Sequence, residues 1–310
     1  MFKTFQEAQA FHKKLGLDPG DPLSMPIQEA REKQNLYFDS LKGVLPSVSK
    51  ILDLYVEGQE GPISVRLTYP LGLGPFHCVI FIRGAGWWAG GLDSHSQTAT
   101  TLADLSSCVV CAIDYYKTPE YCYPTQVNQV IEVLSHLCAR QAQYQIQGKP
   151  ILFGESAGST IALSVAQKLR DLNDDALHGL VLFYCNADGF KPFARKYSQW
   201  VWEQYIGKGR PMNQNGAVPL QEDLNNLPPI WLAVGEDDPL IADTQKLFNQ
   251  LSALGATPQL CIIPQLPHGF LMWTASLEPA LKALEKASHV IKSWFKKEPK
   301  FSQLKFNPLI

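Results

Sequence analysis

The chain has 310 residues, room for two average domains, though α/β enzymes of this length commonly build one core with a cap. With 45% hydrophobic and 18% charged residues it lies far from the composition of disordered chains. Lys and Arg number 27 against 29 Asp and Glu, a net charge of −2 without any basic run, which argues against nucleic acid as a partner.

The longest apolar runs, such as those at 78–82 and 179–184, fall well short of the roughly 18 to 20 residues of a membrane helix. The start, Met1 to Glu7, is polar and acidic where an export signal would be basic and then apolar. The seven cysteines are odd in number, and Cys78, Cys108, Cys111, Cys185 and Cys261 sit in apolar strand-like runs. That pattern suits reduced core thiols and points to a cytoplasmic protein.

In chain order, residues 1–48 read as one or two amphipathic helices. They carry Phe2, Phe5 and Phe11, then a stretch from Ile27 to Leu41, divided by the turn cluster Leu17-Asp18-Pro19-Gly20-Asp21-Pro22. This segment stands outside the rhythm that follows and reads as a lid. From residue 50 onward, β-rich runs occur at about 51–57, 62–69, 76–82, 108–114, 150–154, 178–185, 229–234 and 258–263. Helical patterns separate them in the second half, which predicts a mostly parallel central sheet of about eight strands with helices on both faces.

The third run leads into Arg83-Gly84-Ala85-Gly86-Trp87-Trp88-Ala89-Gly90-Gly91. Such a loop is either a plain flexible connection or a set of bared N–H groups aimed at a developing oxyanion, a service worth about 2.7–4 kcal/mol per donor. A helix is predicted over 124–145 from the stripe Val127, Val130, Ile131, Leu134, Leu137 and Cys138. The fifth run enters Gly154-Glu155-Ser156-Ala157-Gly158, a G-x-S-x-G pattern ahead of a helix-forming stretch, 160–169. A serine on so sharp a strand-to-helix turn stands exposed on a strained backbone. The pentapeptide alone also fits an ordinary turn with a serine cap. Residues 186–224, with Phe190, Phe193, Trp200, Trp202, Tyr205 and Ile206, interrupt the rhythm. Their aromatics read as the core of a small helical subdomain rather than as direct substrate contacts.

A serine hydroxyl is a weak nucleophile until a base takes its proton, so a carboxylate and then a histidine should follow in the chain. The seventh run is followed by Gly235-Glu236-Asp237-Asp238-Pro239-Leu240, which offers three carboxylates. The eighth is followed by Pro267-His268-Gly269-Phe270. Of the seven histidines only His268 holds that position; His12, His136 and His289 lie in helical patterns and are expected in solvent, while His77, His95 and His178 border strands or a turn. A last helix over 277–296, with Leu277, Leu281, Leu284, Ile291 and Trp294, should close one side of the sheet.

These residues resemble the hormone-sensitive-lipase-like branch of the α/β-hydrolases, which includes the bacterial acetyl esterases. Gly154 to Gly158 is similar to that family's nucleophile elbow, Asp238-Pro239-Leu240 to its acid segment, His268-Gly269-Phe270 to its base, and Asp114 to Glu120 with Tyr123-Pro124 to the segment under its active site. The resemblance implies an α/β-hydrolase fold over 1–310 as a single domain, with a helical cap drawn from 1–48 and 186–224. It implies a serine carboxylesterase acting on small esters through Ser156, His268 and Asp238, with an oxyanion hole at Ala85, Gly86 and Ala157 and no metal or organic cofactor. Trp87 and Trp88 are the candidate pocket residues, and Arg83 and Gly84 the loop supports. The rival readings are an amidase or peptidase with the same triad, and a small-molecule receptor without turnover. The oligomeric state stays open, a homodimer included. One departure concerns the family's His-Gly-Gly-Gly-Trp loop, which here reads Arg83-Gly84-Ala85-Gly86-Trp87. It replaces a bracing histidine and puts a methyl group where a positive φ would strain it.

Overall fold

The third to seventh strands are short, apolar and rich in β-branched or aromatic residues, as expected of strands covered on both faces. The computed structural model describes residues 1–14, 16, 18–189, 196–214 and 216–296; Leu17, Phe190 and Phe193 lie outside the described residues. It begins with α1 (Phe5–Lys14) and α2 (Ile27–Ser40), then a hairpin of β1 (Lys50–Gly58) and β2 (Gly61–Tyr69). The alternating part follows: β3 (Cys78–Ile82), α3 (Ser96–Ser106), β4 (Val109–Asp114), α4 (Thr125–Ala139), β5 (Ile151–Glu155), α5 (Ala157–Asp171) and β6 (Gly179–Phe183). It continues through α6 (Lys196–Ile206), β7 (Ile230–Gly235), α7 (Ile241–Ala253), β8 (Gln259–Ile263) and α8 (Glu278–Lys296).

The eight strands form one sheet in the order β1-β2-β4-β3-β5-β6-β7-β8. β2 runs antiparallel to β1 and β4, and the remaining pairs are parallel. Alternation along each strand feeds two cores. Cys78, Ile80 and Ile82 of β3 pack with α4, α5 and α7, whereas Val79 and Phe81 pack with α3 and α8. Each such fully buried aliphatic side chain contributes about 1.5–3 kcal/mol. Among the described residues no helix is long and apolar enough to cross a membrane.

Several expectations need correction. The fourth helix ends at Ala139 rather than near 145, because Arg140 leaves the helical region and the chain must reach the sheet edge. There Phe76 donates to Gln145 O at 2.8 Å and Gln147 donates to Phe76 O at 2.8 Å. Cys138, assigned to the core face, is exposed. Cys108 and Cys111 are spaced as a Cys-x-x-Cys pair, but the strand sends them into opposite cores as free thiols. Burial pushes both up, Cys108 to about 11. His136 is half-buried, with its Nε2 2.8 Å from the Tyr144 hydroxyl. His12 is buried rather than solvated, since the face of α1 that carries it lies on Trp273.

Candidate active site

All parallel strands point their carboxyl ends to one edge of the sheet, the place where open α/β sheets collect functional groups. Ser156 sits between β5 and α5 with φ 51° and ψ −118°, a conformation that costs an L-residue of order 1–3 kcal/mol. Glycines permit it by close approach. A Cβ on Gly158 would lie 1.9 Å from Ile82 O, and one on Gly154 would lie 2.6 Å from Gly158 O. The Ser156 N–H donates to Phe183 O at 3.0 Å, which pins the turn to β6.

Ser156 Oγ lies 2.9 Å from His268 Nε2. His268 Nδ1 lies 3.0 and 3.1 Å from the two carboxylate oxygens of Asp238. With the ring proton on Nδ1 facing Asp238, Nε2 is left to accept from the serine hydroxyl. The Asp238 side chain is fully buried and that of His268 is 36% exposed, so the carboxylate works in a dry setting while the imidazole reaches the surface. Asp238 Oδ1 also accepts the Leu240 N–H at 2.8 Å. Glu236 and Asp237 are exposed and stand outside this line.

The loop after β3 is held from behind by its carbonyls. The Arg83 guanidinium donates to Ala89 O at 2.5 Å and to Asp114 Oδ1 at 3.1 Å, and it lies 4.1 Å over the Tyr115 ring. The Tyr115 hydroxyl is within bonding distance of Arg83 O and Gly84 O at 3.0 and 3.1 Å. Trp87 O accepts from Thr118 N–H at 3.1 Å, and Trp88 O accepts from Arg31 Nε at 2.8 Å. Ala85 and Trp87 both have positive φ, 65° and 64°, which this bracing over-determines. Among the described residues no acceptor takes the N–H of Ala85, Gly86 or Ala157. Gly84 packs against the elbow, where a Cβ would meet Glu155 O at 3.0 Å and Ser156 Cβ at 3.2 Å.

Trp87 does not line a substrate pocket. It is fully buried, stacked 4.2 Å from Tyr205 and edge-on to Trp202, because its positive φ turns the indole back into the core. Trp88 is also buried, edge-on to Trp200, and its indole N–H donates to the Tyr197 hydroxyl at 3.0 Å. Tyr197, Val201 and Trp88 crowd the open side of Gly86, so α6 packs directly on the loop.

Glu155, next to Ser156, and its neighbour His95 carried no distinguishing signal in the sequence. Glu155 is buried beside Ser156, accepts from the Tyr184 hydroxyl and lies 3.3 Å from His95 Nε2. Burial pushes its carboxyl above the ordinary value, with the Tyr184 bond drawing it back. Burial, followed by the Arg83 charge, holds His95 down at about 3, so this imidazole stays neutral. Burial also raises Asp114, but Arg83 and Lys117 outweigh it and bring that carboxyl below its ordinary value.

A family model described as the alpha/beta hydrolase fold matches residues 79–272. The chain superposes on an alpha/beta hydrolase enzyme from the metagenome of Lake Arreo, Spain, with a TM-score of 0.88 at 22% identity, covering 96% of this chain and 98% of that one. A hyperthermophilic esterase from the archaeon Pyrobaculum calidifontis gives a TM-score of 0.85 at 23% identity, covering 94% and 99%. A thermophilic and thermostable carboxylesterase cloned from a metagenomic library gives 0.81 at 23%, covering 89% and 99%. At these identities the likeness is one of fold.

Proposed function

The chain belongs to the alpha/beta hydrolase fold family, and from that premise we propose that it is a serine carboxylesterase for small or short-chain acyl esters. The observation that carries the reading is the unbroken line from Ser156 Oγ through both nitrogens of His268 to the buried Asp238. Ser156 attacks the acyl carbon while His268 Nε2 takes the hydroxyl proton, and Asp238 stabilises the imidazolium so formed. The charge on the carbonyl oxygen falls to the amides of Ala85, Gly86 and Ala157. His268 then gives its proton to the departing alcohol, leaving an acyl-enzyme on Ser156. A water loses its proton to His268 and attacks the acyl carbon, and the proton returns to Ser156 as the acid departs. This chemistry needs no metal or organic cofactor.

We take residues 1–310 as one catalytic domain, with α2 and α6 as the parts of the cap that reach the loop after β3. The free thiols fit a reducing compartment, and we place the enzyme in the cytoplasm. A fluorophosphonate probe is expected to label Ser156, and Ser156→Ala to lower kcat by at least about 10³-fold. Labelling of another serine would sink the triad. A panel of p-nitrophenyl esters from acetate to laurate, with matching anilides, reads the substrate class: esters should turn over and anilides should not. Faster anilide cleavage would make the protein an amidase.

A further inference from the structure

We propose that Glu155 is a positioning residue whose buried carboxylate raises the basicity of His268 and ties the base loop and the loop after β3 to Ser156. The proposal rests on the triad reading above. Glu155 directly precedes Ser156 and is 2% exposed. Its Oε2 accepts from Tyr184, whose ring stands edge-on to Phe270 in the turn Phe270–Trp273 that follows His268, 5.1 Å between centroids at 78°. The Tyr184 ring stands edge-on to the His268 imidazole, 4.9 Å between centroids at 66°.

The other oxygen, Oε1, has a long contact of 3.5 Å from the Gly84 N–H at the start of the loop after β3. It also faces His95 Nε2 at 3.3 Å, and with the ring proton placed there Nδ1 accepts from Ser94 Oγ at 2.8 Å. Glu155 is thus ringed by donors, the arrangement of an ionised carboxylate. The titratable groups facing this cluster are His95 and Tyr184 in contact, Arg83 from the end of β3, His268 from the base loop, and Asp238 through Tyr184. The Arg83 guanidinium is bonded to Asp114, and His268 becomes a cation only as the reaction proceeds. The Glu155 charge is therefore better matched in the transition state than in the resting enzyme, which is the condition for a catalytic gain.

Glu155→Gln keeps the shape and removes the charge; its amide oxygen can still serve Gly84 and His95, while its NH2 must donate to the Tyr184 oxygen. Without the anion, His268 holds a proton less well, so the acid limb of kcat/KM should move to lower pH by about 0.5–1 unit. The kcat should fall about tenfold. Stability should move the other way. A carboxyl whose folded pKa lies above its unfolded value stabilises the fold below the unfolded value, and this is lost as pH rises through the folded one. The wild type therefore loses stability with rising pH that the variant does not, and the variant's Tm should gain on that of the wild type as pH rises through the folded value. Tyr184→Phe keeps the ring on His268 and removes a donor to Glu155, so its limb should move in the same direction by less; it carries the test if the glutamine variant does not fold. A limb within about 0.2 units of the wild type in either folded variant overturns the proposal. So does a loss of kcat with a lower Tm and an unmoved limb, the mark of a purely structural group. Ser156→Ala separates the two ideas: retained turnover there refutes the triad reading itself.

Discussion

Arg83 stands where the resembled family has a bracing histidine, and its contacts define what the replacement does. A guanidinium has five donors and no acceptor, so it serves carbonyls and carboxylates alone. That suits a position under a loop whose carbonyls face inward: Ala89 O, Asp114 and the Tyr115 ring take up one planar group. Lysine offers one ammonium in place of that fork and would not reproduce the bracing. Arg83→Ala should therefore lower kcat for neutral esters by about tenfold or more, through misplaced N–H donors. It should also lower the Tm, with Asp114 left to Lys117. If neutral esters are untouched and KM rises only for anionic esters such as monoacyl succinates, Arg83 is a specificity residue instead.

At the scale of elements, the contact that sets the geometry is the crossing of α5 over β3. Gly158 brings the helix so close that any Cβ would strike Ile82 O at 1.9 Å and Arg83 O at 2.6 Å, both of them backbone atoms that cannot step aside. Gly158→Ala should push α5 off the sheet and carry Ser156 and the Ala157 amide away from Ala85 and Gly86. The expected result is a kcat lower by at least about 10² and a lower Tm, read on a neutral short-chain ester; unchanged turnover would mean the helix position does not matter. This contact was legible in the sequence as small residues flanking a serine between a strand and a helix. The strand sequence and the Ser, Asp, His order were legible for the same reason, since alternation and turn chemistry are local. What tertiary packing decides was not. The end of α4 is set by pairing with Phe76, the inward turn of Trp87 by a positive φ in a non-glycine residue, and the meeting of Glu155, His95 and Tyr184 by two strand ends and the start of α3.

At the scale of the whole molecule, the first helix and the last are fastened together beside the base loop. Phe2 N–H donates to Ser276 O at 2.6 Å, and Glu278 N–H donates to Phe2 O at 3.0 Å. Phe5 and His12 of α1 both set their rings against Trp273, which closes the turn after His268. His12 is 7% exposed, its Nδ1 has no hydrogen-bond partner among the described residues, and burial lowers its pKa. The sign follows from proton linkage. The unfolded chain binds the His12 proton more readily, so this group's stabilisation is complete above the unfolded value, about 6.5, and is lost as pH falls through it. Mild acid should thus loosen α1 from Trp273. His12→Leu removes the titration and keeps an apolar contact, while every other titrating group, His268 included, cancels in the difference between the two proteins. Between about pH 8 and pH 5 the wild-type Tm should fall by about 1–3 °C more than that of the variant. Once exchange is corrected for its intrinsic slowing in acid, protection over residues 268–277 should drop at the lower pH in the wild type alone. Parallel Tm curves would show that the buried imidazole does not couple the amino-terminal helix to the base loop.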